Sequence, residues 1–117
     1  MSVVDALHPA PQLAVGGSRA QSAAGTLRAL REHRQELADR FAVRSLALFG
    51  SVARGEASAA SDVDLLVEFS RSIGLLHLAG TALCIEDVLG SPVDLVLPRA
   101  LLPELREGVL AEAVDVF

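Results

Sequence analysis

The fold class this chain predicts is α/β (α+β), a small mixed β-sheet flanked by helices, and three observations lead to it. Segments with period-two alternation, Val63 to Phe69 and Pro92 to Leu97, are interleaved with longer segments of helical period. Turn-forming residues stand at the joints, with Gly50-Ser51 after one strand, Gly90 after a helix and Pro98 after another strand. The 117 residues, 51% of them hydrophobic, suffice for one core in one domain.

Taken in order, Met1 to about Gly25 is rich in Ala, Gly, Ser and Pro, and Pro9, Pro11 and Gly16-Gly17 interrupt any period. It predicts a flexible leader over 1–25, with the folded domain over 26–117. From Ser22 or Thr26 to about Arg40, Leu27, Leu30, Leu37 and Phe41 form one stripe of a single amphipathic helix. Ser45 to Phe49 is the first strand, Gly50-Ser51 a tight turn into a short helix or loop, and Glu56 to Ala60 a loop of small residues. In Val63 to Phe69 the odd positions are apolar, whereas Asp62, Asp64 and Glu68 share the other face. Gly74 to Leu89 is a helix with Leu75, Leu78, Ala82, Ile85 and Leu89 on one stripe, and Gly90 is placed to end it. His77 and Cys84 lie within it and read as structural. Pro92 to Leu97 is the third strand, Leu101 to Ala113 the last helix with Pro103 in its first turn, and Val114 to Phe117 a short edge strand.

Composition narrows the function classes. A net charge of −5 with pI about 5.0 argues against broad nucleic-acid binding, which needs a basic face. All ten basic residues are arginine. A single cysteine, Cys84, the lack of an apolar run long enough for a membrane span and the lack of a secretion-signal pattern give a cytoplasmic expectation.

Chemistry concentrates between Leu48 and Val67. Asp62 and Asp64, two residues apart on a strand whose other face is apolar, make a platform for a hard divalent cation. The Gly50-Ser51 turn would offer backbone N–H groups and a hydroxyl to phosphate oxygens. If the third strand lies beside the second, Asp94 joins the two aspartates, and three close carboxylates in an acidic chain find relief in metal. Such a combination suggests phosphoryl or nucleotidyl transfer. A bland reading of each residue stays open: a solvated strand edge for the aspartates, a helix N-cap for Ser51, a surface ion pair for Arg54. Glu68, two residues beyond the pair, reads as solvent-facing.

Gly50-Ser51, ten intervening residues, then Asp62-Val63-Asp64 resembles the signature of the polymerase-beta-like nucleotidyltransferases. Ala53-Arg54-Gly55 and the short chain are similar to the minimal nucleotidyltransferase branch, which includes antitoxins paired with HEPN-domain toxins. The similarity runs from about Leu27 to Phe117. It implies a nucleotidyltransferase-like fold in which Asp62 and Asp64 hold two Mg²⁺ ions on a nucleoside triphosphate, ATP in the first instance. It further implies that Asp94 binds metal or acts as base toward the acceptor hydroxyl, and that Gly50, Ser51 and Arg54 contact the triphosphate. Two departures stand out: no basic residue precedes Val93, and Phe117 stands where Tyr is common.

The resemblance implies transfer of AMP to a hydroxyl of a partner protein, a tyrosine of a HEPN toxin, since no residues remain for an acceptor-holding domain. This chain has no tyrosine, so such labelling would occur in trans. The alternative is a non-catalytic antitoxin that silences the toxin by covering it.

Overall fold

The computed structural model describes residues 22–58 and 61–117. The expected leader therefore lies outside the described residues up to residue 21. Helical structure starts earlier than the expected domain boundary, because Ser22 caps α1 (Ala23–Glu32) by accepting a hydrogen bond from the Gly25 N–H at 3.0 Å.

The single helix expected up to Arg40 is two, α1 and α2 (Arg34–Phe41). His33 is the cause. Its ring Nδ1–H donates to Ala29 O at 2.8 Å, the carbonyl that its own backbone N–H would bond in an unbroken helix. That N–H turns instead to Leu30 O at 3.1 Å, and α1 ends there. Ala42, in the left-handed region at φ 59°, ends α2 and leads into β1 (Val43–Phe49).

The sheet order is β3-β2-β1-β4. β1 pairs antiparallel with β2 (Val63–Phe69) and, at Ala47 and Leu48, with the two-residue β4 (Val114–Asp115). β2 pairs parallel with β3 (Val93–Val96), which is the neighbour relation that the Asp94 argument required. A parallel pair needs a crossover, and α4 (Leu75–Leu89) supplies it, ending at Gly90 with φ +71° as expected from its position.

One face of the sheet is closed by α1, α2 and α4. Val63, Leu65 and Val67, every second residue of β2, meet Leu30, Leu37, Ile85 and Leu89 in a single core with Leu46, Leu48, Val52 and Val116. Arg31 ties the chain end to α1 through Nε to Val116 O at 2.7 Å and Nη2 to Asp115 O at 2.9 Å. His77 packs edge-on against Phe41 and Phe69 and donates from Nε2 to Phe41 O, so its role is structural. Cys84 packs half-buried against the core.

The expected stripe of α4 is corrected at its start. Leu75 and Leu76 are 82% and 89% exposed, and Thr81, its hydroxyl donating to His77 O, is buried with Ile85 and Leu89 instead. In so leucine-rich a helix several stripes compete, and the packing of His77 between the two phenylalanines selects one. A 3₁₀ turn (Pro98–Ala100) precedes α5 (Pro103–Glu112), which contributes no buried residue.

Candidate active site

The β1–α3–β2 corner brings the expected residues together. α3 (Gly50–Arg54) starts directly after β1, with Phe49 as its N-cap, so Ser51 lies inside the helix rather than capping it. Gly50 is required twice. Its φ of +79° is a left-handed backbone that other residues rarely adopt, and a Cβ built there would collide with Asp64 Oδ2. The turn backbone therefore rests directly against the Asp64 carboxylate.

Asp64 and Asp94 are register partners on the parallel strands β2 and β3, and side chains of paired residues project from the same face. The start of β3 is set by two hydrogen bonds: Val63 N–H donates to Pro92 O at 2.9 Å and Val93 N–H to Glu86 Oε2 at 3.0 Å. Glu86, on α4, thus positions the residue next to Asp94. Asp62 is exposed immediately before β2. The trio anticipated from the sequence is a register pair with a third carboxylate at its edge. Among the described residues, no three His, Cys, Asp or Glu side chains close into a preformed metal cluster.

The electrostatics of the corner favour a cation beside Asp64. Burial pushes the Asp64 carboxyl above its usual range, and the Asp94 and Asp62 carboxylates raise it further, with Arg54 opposing. Mg²⁺ relieves such crowding, and it binds through one or two carboxylates plus substrate phosphates rather than in a full protein cage. Two carboxylates without a closed third ligand are the donor set that this mode needs.

The groups expected to meet phosphate, the Gly50 amide and Arg54, are engaged by a residue that sequence reasoning missed. Glu112, the last residue of α5, accepts from Gly50 N–H at 3.1 Å and from Arg54 Nη1 at 3.1 and 3.3 Å. Arg54 Nε also donates to Glu56 at 2.9 Å. The bonds to Glu112 hold its carboxyl below its usual range, the Gly50 bond first and Arg54 second, while the bond to Glu56 first and those to Glu112 second raise the Arg54 guanidinium. Glu112 is 62 residues from Gly50 in sequence, and no periodicity signals such a contact. Glu68 faces solvent, as expected, bonded to Ser45 Oγ and Arg44.

Residues 30–116 match the model of the nucleotidyltransferase domain. The chain belongs to the nucleotidyltransferase family. This nucleotidyltransferase is 42% identical over 87 residues to the protein adenylyltransferase MntA of Thermococcus cleftensis, covering 74% of this chain and 88% of that one. It is 49% identical to a solved structure described as a candidate minimal nucleotidyltransferase, with a TM-score of 0.65 over 76% of this chain and 91% of that one. A complex of tri-AMPylated Shewanella oneidensis HEPN toxin with MNT antitoxin contains a chain of the same fold. There the identity is 19% and the TM-score 0.56, over 78% of this chain and 71% of that one. The resemblance to the minimal nucleotidyltransferases is thereby borne out, as are the mixed sheet with flanking helices and the assignment as an enzyme of this family. Among the described residues, no helix is long and apolar enough to cross a membrane.

Proposed function

We propose that this nucleotidyltransferase moves AMP from ATP to a hydroxyl of a partner protein of the HEPN type, acting as the antitoxin of a toxin–antitoxin pair. The observation that carries the reading is the register pair Asp64 and Asp94, with Asp64 set against the Gly50 turn. It joins a site for cation-bearing carboxylates to a backbone donor suited to phosphate, which is what a nucleoside triphosphate requires of a protein. The acceptor class is supported by a relative named a protein adenylyltransferase, and by the presence of the same fold in a complex with an AMPylated HEPN toxin.

In this reading Asp62, Asp64 and Asp94 would hold Mg²⁺, two ions in all. When bound, the metal supplies neutralisation of the triphosphate and polarisation of the acceptor oxygen. Gly50 N–H, the Ser51 hydroxyl and Arg54 orient the β- and γ-phosphates. The acceptor oxygen attacks the α-phosphorus, the bond to pyrophosphate breaks, and Asp94 receives the hydroxyl proton. The product is a phosphodiester-linked AMP on the partner, with pyrophosphate released.

The test is co-expression with a HEPN partner followed by intact-mass measurement. The partner should gain the mass of one or more AMP groups with the wild-type chain and none with Asp64→Asn. A partner silenced without any mass gain would contradict the reading and leave neutralisation by complex formation.

A further inference from the structure

Glu112 is an odd residue for its place. It ends α5, where the helix dipole disfavours a carboxylate and no basic residue stands in the last turn. It also adds to the negative field on Asp64, whose carboxyl is already crowded by Asp94 and Asp62. Yet it makes the three hydrogen bonds that an incoming phosphate would make, one from the Gly50 amide and two from Arg54. Gly50 is buried, so its N–H would otherwise need another partner. A carboxylate with two oxygens against a backbone N–H and a guanidinium reproduces two oxygens of a phosphate in geometry and charge.

We infer that Glu112 is an internal stand-in for the triphosphate, occupying the Gly50 amide and Arg54 and yielding them when nucleotide arrives. The inference rests on the proposed nucleotide site. It assigns Glu112 as a competitor for the phosphate donors that lowers nucleotide affinity. A tether that merely fastened α5 to α3 would have the opposite consequence, since releasing it would loosen the turn and weaken binding. α5 is free to yield its contact because none of its residues is buried. Arg54 stays anchored meanwhile through its second carboxylate, Glu56, at 2.9 Å.

The experiment is calorimetric titration of the full chain with AMP-PNP in the presence of Mg²⁺, comparing wild type, Glu112→Gln and Glu112→Ala, with adenosine as a ligand that lacks phosphates. Both variants should bind AMP-PNP roughly three- to tenfold more tightly than wild type, the scale of losing one partly exposed charged competitor. Adenosine affinity should be the same in all three. In the wild type, the Gly50 amide resonance should move on AMP-PNP addition and should start from a different position in Glu112→Gln. Equal or weaker AMP-PNP binding in both variants, with wild type binding normally, would overturn the stand-in and leave the nucleotide site intact. A matching gain for adenosine would also overturn it, by showing that the effect does not act through phosphate. No binding by wild type or variants would overturn the inference and the proposed function together.

Discussion

The two sides of the sheet are built for different purposes. The side closed by α1, α2 and α4 holds Leu30, Leu37, Val63, Leu65, Val67, Ile85 and Leu89 in one buried cluster. The carboxylate side has the Gly50 turn, the 3₁₀ turn and α5 near it, and α5 buries nothing while leaving Leu102, Leu105 and Leu110 half or more exposed. Stability is concentrated on the first side. The second is left thin, so a ligand can reach Asp64 and Asp94. The division runs through a single strand, since alternate residues of β2 serve the two sides.

Substitutions on the two sides should therefore differ in kind. Leu65→Ala, at a fully buried position in the middle of β2, should cost about 3 kcal/mol and lower the melting temperature by about 10 °C or more. Circular dichroism melts check this; a shift of only a degree or two would remove the distinction. Gly50→Ala should cost about 1–2 kcal/mol for the left-handed backbone and reduce transfer about a hundredfold or more, because the added methyl displaces the Asp64 carboxylate from its place. A steady-state rate near wild type would show that the close approach of turn and carboxylate is incidental.

Asp64→Asn sharpens the comparison through its sign. The Asp64 carboxyl is raised in the folded protein, so its contribution is favourable below the unfolded value and is lost as pH rises through the folded one. At neutral pH the charge is a net cost, and Asp64→Asn should melt about 2 °C higher than wild type without metal, the advantage vanishing toward acid pH. Melts across pH 3 to pH 8 read it; a constant offset, or a lower melting temperature at neutral pH, would contradict the assigned crowding. Leu105→Ala, on the thin side, should change stability by no more than about 0.5 kcal/mol in a urea titration. A larger loss would mean that α5 is fastened more firmly than its exposure implies.

Much of this plan is legible in the sequence, and the reasons are local. The alternation of β2 reports burial on one face directly, and Gly50, Gly90 and Pro98 mark turns by backbone restrictions that few residues satisfy. The short Val93-Asp94-Leu95-Val96 pattern sufficed to place Asp94 beside Asp64, since a helix between two strands favours their parallel pairing. What was not legible depends on contacts between distant positions. His33 breaks the first helix because its ring reaches Ala29 O, a choice of rotamer that no periodicity records. Glu86 sets the start of β3 and Glu112 meets Gly50 and Arg54, each an acidic residue whose sequence neighbourhood reads as ordinary helix surface. Arg54 was open between phosphate contact and surface ion pair. It is ion-paired here, to Glu56 and Glu112.

The most direct test of the central claim, that the carboxylates on the thin side carry out nucleotidyl transfer to a partner, is labelling with α-³²P-ATP and Mg²⁺. Purified wild type, Asp64→Asn and Asp94→Asn are each incubated with a HEPN-type partner and with no partner. The account predicts label on the partner only, with wild type only. Loss in each variant should be about a thousandfold or more, melting temperatures remaining at or above that of wild type. Full labelling by the Asp64→Asn, Asp94→Asn double variant would contradict it.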